Sequence, residues 1–153
     1  MQHENEILLI EDDEADAELA LHALRENRLT NHIEVLHDGE EALDYLFGPG
    51  SEERRASGHT PKLILLDLKL PKVDGIEVLR RLKSDPVTKT IPVVILTSSK
   101  AERDLVSSYN LGVNSYLQKP VDFDDFRKLV TQVGLYWLVI NQPAPRRMDP
   151  VAA

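Results

Sequence analysis

Leu63-Ile64-Leu65-Leu66-Asp67 is a run of four apolar residues that ends in a carboxylate. The run shows no alternation of polar and apolar positions. A strand made from it is covered on both faces, as in a parallel sheet with helices above and below. Working outward, Ile7–Ile10 and Val93–Leu96 are runs of the same kind, and Ile33–Leu36 and Ser115–Leu117 are weaker strand candidates. Helical stretches lie between them. In Glu14–Asn27, residues Ala17, Ala20, Leu21 and Leu24 follow i, i+3, i+4, i+7 spacing. A second helix starts at Asp38, with Glu41 placed for a capping box, and carries Ala42, Leu43 and Leu46. A third covers about Ile76–Lys83 and stops before Asp85-Pro86, with Asp74-Gly75 as the turn that opens it. A fourth covers about Ala101–Leu111 and ends at Gly112 as its C′ residue. The last begins near Asp122, with Phe126, Leu129, Val130, Val133, Trp137 and Ile140 in one stripe, and Pro143 and Pro145 end it. Gly48–Thr60 reads as a polar loop, with Glu52, Glu53, Arg54 and Arg55 as an exposed charged turn.

The order is β-α repeated five times. Right-handed crossovers then make a doubly wound α/β fold, a five-stranded parallel sheet in the order 2-1-3-4-5. One domain is expected over residues 1–140, followed by a polar, disordered tail over 141–153. The chain has 153 residues and 42% of them are hydrophobic, which suffices for one core. Lysine plus arginine number 18 against 26 acids, a net charge of −8. That charge argues against binding to a nucleic-acid backbone or to an anionic membrane. The absence of cysteine removes disulfides, thiolate zinc sites and thiol nucleophiles. Neither Ile7–Ile10 nor Val133–Ile140 reads as a signal peptide or a membrane span, so a cytoplasmic location is expected. His3, His22, His32, His37 and His59 show no metal-ligand spacing.

In that strand order the winding reverses between the first and third strands, and ligands bind at such a crevice. Glu11-Asp12-Asp13 follows the first strand, Asp67 ends the third, Thr97-Ser98-Ser99 follows the fourth and Lys119-Pro120 follows the fifth. Several carboxylates at close quarters repel unless a cation joins them. A hard divalent ion with oxygen ligands, Mg²⁺ above all, does so. One carboxylate then stays ionised and can act as a nucleophile, and carboxylates do form acyl phosphates. A hydroxyl from Thr97 and a point charge from Lys119 would hold the transferred phosphoryl group. Asp13 is as well placed to cap the following helix as to bind metal.

ILLIEDD (7–13), LILLDLKLPKVDG (63–75), VVILTSS (93–99) and SYLQKP (115–120) together resemble the signature segments of the receiver domain of two-component response regulators. The resemblance covers about residues 5–132. It implies that Asp67 accepts the phosphoryl group and that Asp12 ligates Mg²⁺ directly while Glu11 acts largely through water. It also implies that the backbone carbonyl of Lys69 completes the metal site and that Tyr116 reports the state of Thr97. The Lys119-Pro120 bond is typically cis in this family. The implied partners are a sensor histidine kinase that supplies the phosphoryl group and a downstream phosphotransfer or target protein. The implied chemistry is the protein's own phosphorylation and dephosphorylation rather than turnover of a substrate, with the fourth helix, fifth strand and fifth helix as the responding surface.

Past Val133 the apolar residues run on without a break from Leu135 to Ile140, more than one face of a monomer's helix needs. A two-fold dimer is expected there, with Phe126, Val133, Trp137 and Ile140 at its interface. The ending GLYWLVINQPAP and the long loop at Gly48–Thr60 are similar to those of single-domain response regulators paired with bacterial phytochrome histidine kinases. Two other readings fit these residues less well. A haloacid-dehalogenase-like phosphatase needs a second acid two residues after its nucleophile, and here that residue is Lys69. A receiver fold kept only as a scaffold has no need of Thr97, Lys119 and the acidic set.

Overall fold

The computed structural model describes residues 6–26, 32–57, 60–113 and 115–133. Five parallel strands, β1 (Glu6–Ile10), β2 (His32–Leu36), β3 (Pro61–Asp67), β4 (Val93–Thr97) and β5 (Ser115–Gln118), form one sheet in the order β2-β1-β3-β4-β5. Among the described residues six α-helices connect and cover them: α1 (Glu14–Glu26), α2 (Gly39–Phe47), α3 (Ser51–Ala56), α4 (Gly75–Ser84), α5 (Lys100–Ser108) and α6 (Phe123–Val133).

The unbroken apolar runs have their reason in the two cores. Ile7, Leu9, Leu63, Leu65, Val94 and Leu96 pack on one face with Ala17, Ala20 and Leu24 of α1 and Phe126 and Leu129 of α6. Leu8, Ile10, Ile64, Leu66, Val93 and Ile95 pack on the other with α2, α4 and Val106 of α5. Alternate side chains of a strand point to opposite faces, and here both faces are dry, so no polar residue has a place between them. Each buried aliphatic side chain contributes roughly 1.5–3 kcal/mol.

Four expectations change. Gly48–Thr60 is not all loop, because Ser51–Ala56 forms α3. Arg54 and Arg55 are half-buried rather than an exposed turn. Arg54 donates to Tyr45 O and stacks on the Tyr45 ring, and Arg55 Nη1 donates to Leu46 O at 3.1 Å. Those carbonyls belong to the last turn of α2, where cations are favoured. Helix α5 stops at Ser108, short of Leu111, because Asn110 takes a left-handed conformation (φ 51°) before Gly112 does (φ 78°). Phe126 is 1% exposed in the core of its own chain, so its side chain has no surface to offer a second copy. The side chain of Val133, and Trp137 and Ile140 altogether, lie outside the described residues, as do residues 134–153.

Two close approaches set the starts of helices, α4 against Asp67 and α2 against the loop that follows β3. A Cβ on Gly75 would lie 2.4 Å from Asp67 O, so only glycine lets α4 start against the third strand end. Asp74 caps that helix through Ile76 N at 2.7 Å. Gly39 opens α2 and donates its N–H to Pro71 O at 3.2 Å. Asp38 caps α2 by accepting from Glu41 N, while the Glu41 carboxylate accepts from His37 N, one residue before the cap.

Candidate functional site

The carboxyl ends of β1, β3, β4 and β5 bring Glu11, Asp12, Asp67, Thr97 and Lys119 to one crevice. Backbone pairing sets their level: Ile10 lies opposite Leu66, Asp67 opposite Leu96, and Lys119 N donates to Thr97 O at 2.7 Å. Lys119 Nζ stands 3.1 Å from Asp67 Oδ1, 3.5 Å from Glu11 Oε1 and 3.5 Å from Asp16 Oδ2. The Lys119-Pro120 peptide is cis. Glu11, Asp67 and Thr97 are buried, whereas Asp12 is exposed at the mouth. Asp13 resolves to a cap: its Oδ1 accepts from Asp16 N at 2.9 Å, and its own N–H donates to Glu11 Oε2.

The electrostatics follow from burial and crowding. The Glu11 carboxyl is pushed up to about 7, first by burial and then by the charge of Asp67, against the opposing pull of Asp13 N–H and Lys119. Burial alone would lower the Lys119 ammonium, but Asp67, Glu11 and Asp16 outweigh it and hold it above the ordinary lysine range. Lys119 therefore stays charged, and one ammonium faces more carboxylates than it can neutralise. Glu11, Asp12 and Asp67 each place a carboxylate oxygen within 4.8 Å of the others. An all-oxygen donor set with unmet negative charge fits a hard divalent cation.

Thr97 and Tyr116 line one open pocket of about 460 Å³ together with Ser99, Lys100 and Arg103. Tyr116 is half-buried, its hydroxyl 2.9 Å from Ser107 Oγ and its ring under the Arg103 guanidinium at 5.0 Å. Lys69 is the apex of a three-residue turn closed by Leu70 N donating to Leu68 O at 3.2 Å. Its ammonium reaches Glu102 Oε2 at 3.1 Å. Two residues at this crevice escaped the reading of the sequence. Asp16 lies in the first turn of α1, where an acid suits the helix dipole, and nothing in consecutive positions marks it as a partner of Lys119. Glu102 carried a usable signal, since Ser99 followed by Glu102 has capping-box spacing.

The model of the response regulator receiver domain matches residues 7–131. This chain belongs to the response regulator receiver family. Among curated relatives of the receiver, FilR2 of Methanothrix harundinacea, a probable methanogenesis regulatory protein, is 44% identical over 141 residues, 91% of this chain and 88% of its own. Response regulator Rcp1 of Synechocystis is 42% identical over 139 residues, 90% of this chain and 92% of its own. The structure of Rcp1 in its Mn²⁺-bound form superposes with a TM-score of 0.70 at 40% identity, covering 92% of this chain and 99% of that one. The bacteriophytochrome response regulator RtBRR superposes with a TM-score of 0.80 at 50% identity, covering 92% of this chain and 84% of that one. The sheet order 2-1-3-4-5 anticipated for the receiver is the one observed. Among the described residues no helix is long and apolar enough to cross a membrane.

Proposed function

We propose that this receiver is a cytoplasmic phosphorylation switch that accepts a phosphoryl group on Asp67 from the phosphohistidine of a sensor histidine kinase of the bacterial phytochrome class. The observation that carries the reading is the placement of Lys119 Nζ 3.1 Å from Asp67 Oδ1, inside a cluster where Glu11 and Asp12 supply the remaining oxygens of a cation site. The name of RtBRR ties that protein to bacteriophytochromes, and its 50% identity over 92% of this chain supports the same class here.

An Asp67 carboxylate oxygen attacks the phosphorus. The new O–P bond forms as the P–N bond of phosphohistidine breaks, and the imidazole nitrogen keeps the electron pair. Lys119, held charged by its carboxylate neighbours, stabilises negative charge as it builds on the phosphoryl oxygens. The Thr97 hydroxyl donates to one of those oxygens. Mg²⁺ bound by Asp12, Asp67, the Lys69 carbonyl and, through water, Glu11 would supply positive charge to the same oxygens. The phosphoryl group adds about 1.5–2 negative charges if it behaves like other protein phosphates. Thr97, Tyr116 and the surface of α5, β5 and α6 answer that charge. The output is a changed affinity for a phosphotransfer or target protein rather than for nucleic acid, and the chain turns over no other substrate.

Incubation with acetyl phosphate and Mg²⁺ tests this: intact mass should rise by one phosphate, and the increase should be absent in Asp67→Asn. Metal binding should depend on Asp12 and on pH. Calorimetric titration is expected to show Mg²⁺ affinity rising from pH 6 to pH 8, because the raised Glu11 carboxyl holds a proton at the lower pH that metal must displace. A single displaced proton gives at most about tenfold per pH unit. Asp12→Ala should abolish the binding; unchanged affinity in that variant would remove Asp12 from the site.

A homodimer through the apolar segment Leu135–Ile140 belongs to the same proposal, supported by its unbroken run of apolar residues. Trp137→Glu is expected to convert it to monomer in sedimentation, and an unchanged dimer would exclude that segment as the interface.

A further inference from the structure

Glu102 sits in the first turn of α5, and its carboxylate gathers donors from two loops. Oε1 accepts from Ser98 N at 2.9 Å, and Oε2 accepts from Ser98 Oγ at 3.0 Å and from Lys69 Nζ at 3.1 Å. The Glu102 N–H donates to Ser99 Oγ at 3.2 Å. Ser98 follows Thr97 directly, and Lys69 stands two residues after Asp67. β3 and β4 are neighbours in the sheet, so this carboxylate ties together the two loops that leave the phosphoryl crevice. Its side chain is 13% exposed, against 76% for Lys69. The anion is therefore the fixed anchor and the lysine the movable arm.

Helix capping explains only part of this arrangement. Glu41 accepts from His37 N at the start of α2 in the same way that Glu102 accepts from Ser98 N. A cap does not require the Lys69 ammonium, which comes from a different loop, nor the second oxygen's hold on the Ser98 hydroxyl.

We propose that Glu102 is a positioning residue that maintains the unphosphorylated state by keeping the Lys69 ammonium and the Ser98 donors on its own carboxylate, so that a phosphoryl group arriving at Asp67 must compete for them. The inference rests on Asp67 being the acceptor. An ammonium and a neighbouring N–H and O–H are what a phosphoryl dianion attracts. While Glu102 holds them they are spent on another anion, and that anion's own charge opposes the incoming one. Phosphorylation releases Glu102 from Lys69, which frees the loop after β3 from the first turn of α5.

Glu102→Gln separates the two roles. The amide oxygen still accepts from Ser98 N, so the cap is retained, while the ion pair with Lys69 is lost. With acetyl phosphate and Mg²⁺, E102Q should be phosphorylated on Asp67 about threefold faster than the parent, a change in keeping with a partly exposed ion pair. The ratio should shrink toward one in high salt, which screens an ion pair and leaves a cap bond largely unaffected. Adding Lys69→Met to E102Q should return the rate toward that of the parent, since the freed ammonium is then absent. If E102Q is phosphorylated at the parent rate or more slowly, Glu102 is only a cap and the proposal fails. A gain in E102Q that Lys69→Met leaves untouched would also overturn it. If the parent protein itself takes up no phosphate on Asp67, the acceptor assignment fails first and this inference falls with it.

Discussion

Asp67→Asn is expected to take up no phosphate and yet to fold more stably than the parent at pH 8. The loss of uptake is complete because an amide oxygen does not replace the carboxylate as nucleophile at this position. The gain in stability comes from the neighbours. Asp67 and Glu11 are both buried, and Asp67 is one of the groups that push the Glu11 carboxyl up to about 7, second to burial itself. A carboxyl whose pKa is raised on folding makes the native state bind more protons than the unfolded chain. Stability then falls as pH rises from 4.5 toward 7, and the penalty is fully present above 7. Asparagine removes the charge that supplies part of this penalty and keeps an oxygen for Lys119 to donate to. A gain of about 1 kcal/mol at pH 8 is expected without added metal, because burial remains the larger cause. At pH 5 Glu11 is already neutral in the parent, so the repulsion is absent there, only the lost Asp67–Lys119 ion pair remains, and the variant should be no more stable than the parent. Urea unfolding at the two pH values measures both. Equal gains at both would mean that the Glu11–Asp67 repulsion is not the source.

Gly39→Ala is expected to lower Tm by about 10 °C, the shift that a loss of roughly 3 kcal/mol produces in a chain of this size. A Cβ at this position would lie 1.8 Å from Val73 O and 2.6 Å from Val73 C, both backbone atoms that cannot rotate away. The chain there is held from several sides. Gly39 N–H donates to Pro71 O, Lys72 Nζ lies 3.6 Å from both Asp38 Oδ2 and Glu40 Oε1, and Lys72 itself has φ 69°. Relief requires either moving α2 off the sheet or moving the loop that runs on from Asp67 through Lys69. Phosphorylation should therefore slow as stability falls. Gly112→Ala is the control: nothing lies within 4 Å of its Cβ position, so the cost is that of its positive φ alone, about 1 kcal/mol. A Gly39→Ala protein melting within about 2 °C of the parent would show that the loop yields easily.

The strands were legible because their requirement is local and severe. Leu63–Leu66 and Ile7–Ile10 are fully buried, and a run of that kind has few other places to go. The helices were legible in outline from their apolar spacing, and Asp38 and Asp74 signalled where two of them start. Short polar elements were not. SEERRA carries no apolar stripe, and α3 is joined to α2 by two arginines bonded to carbonyls at the end of that helix. The end of α5 was misplaced because Gly112 is the stronger local signal for a left-handed residue, although Asn110 takes that conformation first.

From its residues alone, this chain was bound to form a parallel sheet covered on both sides, with carboxylates, a hydroxyl and a lysine at the carboxyl ends of its strands. Hydrophobic periodicity and strand-end chemistry are written in consecutive positions. The partners of long charged side chains are not. That Lys119 is shared by Asp67, Glu11 and Asp16, that Glu102 holds Lys69 across two loops, and that Phe126 turns inward to its own core were decided only by tertiary structure. A flexible ammonium or carboxylate takes whichever opposite charge the packed strands bring within reach, and that reach joins residues separated by tens of positions in the chain.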